Sequence, residues 1–124
     1  MAVPILKQGD VLIASIQAAL SDRDLDLFKD ELADRVGRFR ARGVVIDVTA
    51  LDVLDSFATR TIRGIAHTAR LRGAETIVVG IQPEVAIAMV QLGLSLEGVS
   101  TALDLEEGLA LLRPRTDGGS RLGP

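Results

Sequence analysis

Short apolar runs rich in β-branched residues alternate with helical patterns over most of this chain. Val44–Val48 and Thr76–Ile81 are nearly continuous apolar runs, which is typical of strands buried on both faces of a sheet. A helical pattern follows each run, and Val99–Ala102 predicts a further short strand. The resulting β-α-β-α-β-α order requires a mostly parallel sheet with right-handed crossovers. The predicted fold class is therefore α/β, with four to five strands and about four helices.

The first part of the chain predicts a hairpin and a long helix. Val3–Leu6 and Val11–Ile16 are β-like runs, and Gly9–Asp10 between them is typical of a turn. The helix is predicted over Asp22–Arg42, with acidic residues in its first half, arginines in its second half and Gly43 as the C′ residue. Its apolar residues recur at spacings of three or four and form one stripe: Leu25, Phe28, Leu32, Val36 and Phe39.

The last part of the chain predicts two short helices and a tail. Pro83 suits the first turn of a helix that ends near Leu92. Asp104–Glu107 resembles a capping box and opens the final helix. We expect one domain over residues 1–112 and a flexible C-terminal tail over residues 113–124, since the tail has no apolar pattern.

Composition excludes several functional classes. The chain has 124 residues, 48% of them apolar and 25% charged, which fits one globular domain. Cysteine is absent, so disulfides and thiolate sites are excluded. A net charge of −3 and only 2% aromatic residues give no basis for binding nucleic acid. With neither a signal-peptide pattern nor an apolar run of about 20 residues, we expect a soluble cytoplasmic protein outside the membrane.

Ser56 opens the helix predicted from Ser56 to about Arg72, directly after an acidic loop. Serine is a favoured N-cap, and a phosphate is also stabilised at the positive end of a helix. The residues alone leave both roles open: an ordinary cap or a phosphorylation switch. Thr59 is the second candidate acceptor, whereas Thr61 should face the apolar side of the helix.

A row of basic side chains is predicted on the helix face below Ser56. It consists of Arg60, Arg63, His67 and Arg70. The row is either a solvated face or a docking stripe for an acidic surface. His67 is the only histidine, so we expect a surface residue rather than a metal ligand.

The helix after Pro83 is apolar on every face, because six apolar residues follow one another from Val85 to Val90. Two alternatives remain open: burial beneath another segment, or an exposed contact surface. In the second case this helix and the Ser56 helix would form adjoining parts of one partner-binding face.

The sequence gives little support for an enzymatic function. Asp47, Asp52 and Asp55 are loop carboxylates that we expect to solvate and turn the chain rather than bind metal. A response-regulator receiver needs a lysine late in the chain, but the only lysines are Lys7 and Lys29. No glycine-rich phosphate-binding motif occurs, and no cofactor is expected.

Together with this layout, the segment Val53–Phe57 resembles the STAS family of anti-sigma-factor antagonist domains. Two further runs, Gly73–Ile87 and Thr101–Leu109, resemble the RsbS-type antagonists, which are scaffold proteins of the bacterial stressosome. Members of the family called co-antagonists carry a second phosphoacceptor threonine on the next helix. Pro83–Leu94 contains neither serine nor threonine, which favours the single-site RsbS type.

The resemblance implies a non-enzymatic protein that sequesters a switch serine kinase and releases it when Ser56 is phosphorylated, thereby regulating a stress sigma factor. It implies paralogous STAS co-antagonists, a phosphatase acting on phosphoserine, a homodimer and a large assembly as partners. The expected partner-binding residues are Asp55, Ser56, Phe57, Arg60 and Arg63. The alternative is a simpler antagonist that binds an anti-sigma factor kinase directly.

Overall fold

Five strands form one sheet in the order in which they occur in the chain. A computed structural model describes residues 3–113. Only the first pair of strands is antiparallel, and every other neighbouring pair is parallel. The predicted mixed, mostly parallel sheet is therefore confirmed. The strands are β1 (Ile5–Gln8), β2 (Val11–Ser15), β3 (Gly43–Asp47), β4 (Glu75–Val79) and β5 (Ser100–Ala102).

Four helices cover the two faces of this sheet unequally. They are α1 (Asp22–Phe39), α2 (Ser56–Leu71), α3 (Pro83–Gln91) and α4 (Leu105–Leu111). The first three contribute to the larger apolar core on one face, because each lies in a right-handed crossover between parallel strands. The fourth contacts β3, β4 and β5 from the other face and closes a smaller core. The α/β fold class and the four helices are as predicted.

The end of α1 differs from the prediction. The helix ends at Phe39 rather than Arg42, and Arg40 adopts a left-handed conformation with φ of 52°. Gly43 is the first residue of β3 and not a helix cap. A Cβ at Gly43 would lie 2.7 Å from the side chain of Leu112, the residue that caps the C-terminus of α4. The glycine therefore permits this close packing. The helix stripe itself is confirmed, since only Phe39 of its five members is exposed.

Two expectations concern the chain ends and membranes. The predicted flexible tail lies outside the described residues apart from Arg113, and the domain boundary at residue 112 stays a prediction. Among residues 3–113, no helix has the length and apolar character needed to cross a membrane.

One ion pair joins the hairpin turn to the start of β3. The Arg42 Nε donates to the Asp10 carboxylate at 2.8 Å, and its Nη1 donates to the carbonyl of Leu112. This hydrogen bond and charge hold the pKa of the Asp10 carboxyl below its ordinary value of 3.8. Arg42 thus fastens the β1–β2 turn and the end of α4 to the same edge of the sheet.

Replacing Asp10 by Asn should therefore destabilise the protein in a pH-dependent way. Near neutral pH we expect a loss of about 0.5–1 kcal/mol, because the pair is largely exposed. A lowered native pKa means that the stabilisation is present above 3.8 and is lost as the pH falls through the native pKa. Urea unfolding of wild type and Asp10→Asn across this range measures it. A difference that stays constant at acid pH would contradict a charge effect, and Asp34→Asn serves as a control for an exposed helical pair.

Thr76 is a buried polar residue near the start of β4. Its side chain is 3% exposed, and its hydroxyl has no hydrogen-bond partner within the described part of the chain. Thr76→Val should stabilise the protein by about 1 kcal/mol, because a desolvated hydroxyl is replaced by a methyl group of similar size. The matched control is Thr59→Val, which removes a hydroxyl that does donate a hydrogen bond and should destabilise. Equal effects of both variants in urea unfolding would refute this account.

Candidate functional site

The residue that caps α2 is Asp55, not Ser56. Asp55 has an extended backbone, and its Oδ1 accepts the backbone N–H of Ala58 at 2.8 Å. Ser56 is the first helical residue and is exposed, and its hydroxyl makes no hydrogen bond to any residue between 3 and 113. Of the two roles left open for Ser56, the capping role is excluded, because the Asp55 carboxylate occupies the N-cap position. The serine hydroxyl is left free at the tip of the helix.

The backbone around Ser56 also has free donors. The Ala58 N–H is bonded to the Asp55 side chain and the Thr59 N–H to the Asp55 carbonyl. Over the described residues, the N–H groups of Ser56 and Phe57 have no acceptor. Such groups carry the positive end of the helix dipole and stabilise a nearby anion. A phosphate at this end of α2 would be favourably placed.

The two neighbouring threonines are not available for modification. Thr59 is 1% exposed, and its hydroxyl donates to the Asp55 carbonyl at 2.8 Å. Thr61 is also buried and donates to the Phe57 carbonyl at 2.9 Å. Thr59 is thus a wrong choice as second acceptor, because its side chain faces the helix and the core rather than solvent. Thr61 faces the apolar side as predicted.

Arg60 lies one turn below Ser56 and is exposed. Its guanidinium carbon is 6.0 Å from the centre of the half-buried Phe57 ring, a cation–π arrangement. Arg60 forms no ion pair with the residues that the structure describes. Of the predicted basic row, this arginine is the one placed beside the serine with its charge unmatched.

The lower part of the basic row contacts the protein itself. Arg70 donates to the carbonyl of Gly98, and Arg63 makes a longer contact of 3.5 Å with the carbonyl of Ser95. Both carbonyls belong to the segment that links α3 to β5. His67 is exposed, as predicted. Two arginines of the row therefore hold a connecting segment, a role that matches neither of the two predicted alternatives.

The loop before Ser56 is tied to the carboxyl edge of the sheet. The Asp47 Oδ1 accepts both the N–H and the hydroxyl of Thr49, and the Gln82 side chain donates to the Thr49 carbonyl at 2.7 Å. Gly80 has φ of 81°, and a Cβ there would clash with Thr49. Asp47 turns the chain, as predicted, and the described residues hold no metal-binding group of carboxylates and histidine.

Gln82 precedes α3 directly, so this contact places the start of α3 against the loop that carries Ser56. The two helices begin at the same edge of the sheet, which agrees with the hypothesis of adjoining surfaces. On α3 itself Val85 and Met89 are buried, whereas Ile87 is 58% and Val90 is 78% exposed. One side of this helix is therefore exposed rather than buried beneath another segment between residues 3 and 113, and its use as a contact surface stays a prediction.

A small apolar recess beside Asp55 was not foreseen from the sequence. It has a volume of about 70 Å³ and lies between the β2–α1 connection and the start of α2. Its lining includes Leu20, Leu51, Val53, Leu54, Ala58 and Ile62. Val53 lines this recess and is 66% exposed, so an aliphatic side chain lies in solvent three residues before Ser56.

Residues 2–108 match the family model of the STAS domain. The chain therefore belongs to the STAS domain family. Within that family it is similar to RsbS: a solved structure of Moorella thermoacetica RsbS with a serine-to-glutamate substitution is 40% identical, with a TM-score of 0.77, over 90% of this chain and 94% of that chain. A chain from the structure of the stressosome, a signal integration and transduction hub, is 39% identical, with a TM-score of 0.73, over 89% and 96% of the two chains.

Co-antagonist proteins of RsbT are related in sequence. RsbRA of Bacillus subtilis is 33% identical over 88 residues, which is 71% of this chain and 32% of RsbRA. RsbRD of the same organism is 34% identical over 65 residues, or 52% and 23% of the two chains. The chain thus spans a third or less of these curated relatives. The unphosphorylated anti-sigma factor antagonist SpoIIAA is 12% identical with a TM-score of 0.67 over 88% of this chain and 94% of that chain, which shows a shared fold.

The cap assignment leads to a direct test. Asp55→Ala should destabilise the protein by about 1 kcal/mol, because the Ala58 N–H loses its acceptor, whereas Asp55→Asn should retain most of the stability. Ser56→Ala should change the free energy of unfolding by less than about 0.5 kcal/mol, since the hydroxyl caps nothing. Urea unfolding of the three variants measures these values. A larger loss for Ser56→Ala than for Asp55→Ala would return the capping role to the serine.

Proposed function

We propose that this chain is a phospho-switched scaffold and antagonist in a stressosome-like assembly. While Ser56 is unmodified the protein sequesters a switch serine kinase, and phosphorylation of Ser56 releases that kinase to regulate a stress sigma factor. The observation that carries the proposal is the exposed Ser56 hydroxyl, which Asp55 frees from capping. A modifying kinase can reach this oxygen without unfolding the domain.

A phosphate at Ser56 would act through charge. It adds about −1.5 to −2 charges and three acceptor oxygens at one point of the surface. The free N–H groups of Ser56 and Phe57 would stabilise that charge, so the helix end stays folded. Asp52 and Asp55 are exposed nearby and already negative, so the modified surface would repel an acidic partner segment.

Arg60 adds a cationic side chain to the unmodified surface. Its unmatched guanidinium beside Phe57 gives a kinase with an acidic contact a cationic side chain to bind. Phosphoserine one turn away would compete for that arginine. Phosphorylation would then weaken docking in two ways, by repulsion of the partner and by neutralisation of Arg60. In this scheme Asp55, Ser56, Phe57 and Arg60 form the docking surface, whereas Arg63, which was also expected there, contacts the carbonyl of Ser95.

The similarity to RsbS and to a chain of the stressosome supports a place in such an assembly, with paralogous STAS co-antagonists and further copies of this chain as neighbours. A phosphatase acting on phosphoserine would restore the unmodified state. The glutamate variant of Moorella RsbS introduces a negative side chain in place of a serine hydroxyl, which is the kind of change proposed here for Ser56. The absence of serine and threonine from Pro83–Leu94 favours a single modification site.

The test measures capture of the switch kinase by variants of Ser56. Ser56→Glu should bind the kinase at least about tenfold more weakly than wild type, which corresponds to about 1.4 kcal/mol, whereas Ser56→Ala should bind it like wild type and resist release by ATP. Ser100→Glu adds the same charge at another exposed serine and should leave binding unchanged.

Equal kinase affinity of Ser56→Glu and Ser56→Ala would refute the switch. Phosphosite mapping after incubation with kinase and ATP gives a second readout, and phosphate at another residue would refute the site. Capture of an anti-sigma factor kinase instead of the switch kinase would replace the scaffold function with direct antagonism.

A further inference from the structure

Three arginines line a cleft at the edge of the sheet where β3 and β4 begin, opposite the edge that carries Ser56. The cleft lies between the C-terminal ends of α1 and α2 and has a volume of about 540 Å³. Arg40 directly follows α1, Arg72 directly follows α2, and Arg42 precedes β3. This site is called here the arginine cleft.

The charges of Arg40 and Arg72 are unmatched. Both side chains are exposed, and neither guanidinium forms an ion pair or hydrogen bond with residues 3–113. Arg42 is paired with Asp10. Each helix end contributes only about half a negative charge through its dipole, so two unmatched guanidiniums leave the cleft positive. Within the described part of the chain, no carboxylate lines the cleft, since Glu75 lines the adjoining one.

The backbone at Arg40 favours glycine over arginine. The Ala41 N–H donates to the Val36 carbonyl, as in the Schellman ending of a helix. The C′ residue of that ending is left-handed and usually glycine, because a Cβ is strained there. Arg40 is the only non-glycine residue between 3 and 113 with a positive φ. An arginine at this position therefore weakens the helix end while it supplies a guanidinium to the cleft.

Gly37 is a second local departure, and it positions Arg72. Glycine inside a helix lowers stability relative to alanine, and Gly37 lies in the last turn of α1. A Cβ there would overlap the guanidinium of Arg72, so the glycine leaves the space that this guanidinium occupies. Two positions at the end of α1 thus give up helix stability, and each places an arginine in the same cleft. Departures of this kind mark functional sites.

We infer that the arginine cleft binds an acidic segment of a partner protein, two carboxylates of which pair with Arg40 and Arg72. A guanidinium presents a planar fork of donors that matches a carboxylate, and such pairs are stronger than neutral hydrogen bonds. Small-molecule sites bury most of their ligand, whereas both arginines here are exposed to solvent. A chain segment lying across the open cleft therefore fits better than a small anion.

The experiment is a nuclear magnetic resonance titration of the isotope-labelled full chain with an end-blocked peptide of glutamate and glycine. Exposed ion pairs contribute little each, so we expect a dissociation constant on the order of 100 µM at low salt and a titration to about 1 mM. The amide signals of Arg40, Ala41 and Gly73 should shift. The same peptide with glutamine in place of glutamate should leave them unchanged.

Arg40→Gly separates binding from stability. It should weaken binding of the acidic peptide about fivefold and raise the urea midpoint, because glycine fits the left-handed backbone. Gly37→Ala keeps every charge but displaces Arg72, so binding should fall about threefold. The matched control is Arg23→Gln, which removes the same charge from an exposed arginine at the start of α1 and should bind like wild type.

Unchanged binding by Arg40→Gly, peptide shifts confined to residues outside the cleft, or no binding at about 1 mM would each overturn the inference. A lower urea midpoint of Arg40→Gly would overturn it too, because the arginine would then support the fold itself. Inorganic phosphate that binds as tightly as the peptide would replace the acidic segment with a small anion. The same amide shifts on concentrating wild type alone would replace it with a second copy.

Binding at the arginine cleft is independent of the proposed kinase switch, because Ser56 lies at the opposite edge of the sheet. Ser56→Glu should bind the acidic peptide like wild type, and Arg40→Gly should capture the kinase like wild type. Weakened peptide binding by Arg40→Gly together with equal kinase affinity of Ser56→Glu and Ser56→Ala would uphold the cleft and refute the switch. The reverse pattern would refute the cleft alone.

Discussion

The hydrogen bond from the Ala58 N–H to the Asp55 carboxylate fixes where α2 begins. Because Asp55 takes the cap position, Ser56 becomes the first helical residue, and its hydroxyl and N–H have no partner among residues 3–113. The same helix register turns Thr59 and Thr61 toward the core and places Arg60 on the surface next to the serine. The proposed switch depends on this one register.

The sheet determines what surrounds that helix end. Parallel strands bring the β3–α2 loop and the start of α3 to one edge, where Thr49, Gln82 and Asp47 connect them through hydrogen bonds. The charged surface around Ser56 and the exposed apolar side of α3 consequently lie on neighbouring helices but differ in chemistry.

Much of the fold could be predicted from the sequence, and the exceptions have physical causes. The strands were located to within two residues, because nearly continuous apolar runs such as Val44–Val48 have few alternatives to a buried sheet. Asp55 and Ser56 are about equally good caps, so sequence alone could not rank them. The hydrogen bonds of Arg63, Arg70 and Gln82 each join residues about thirty positions apart in the chain. A local sequence pattern cannot predict contacts between residues that are so far apart.

The helix cap, Asp55, and the proposed phosphoacceptor, Ser56, are different residues, which has a consequence for how such domains diverge. Since the serine hydroxyl bonds to none of residues 3–113, a lineage could lose or regain the oxygen proposed for modification while its domain keeps the same architecture. A duplicated copy without the hydroxyl would still occupy its position among its neighbours as a silent subunit. The ratio of responsive to silent members then becomes a quantity that evolution can adjust through gene dosage rather than through redesign of the domain.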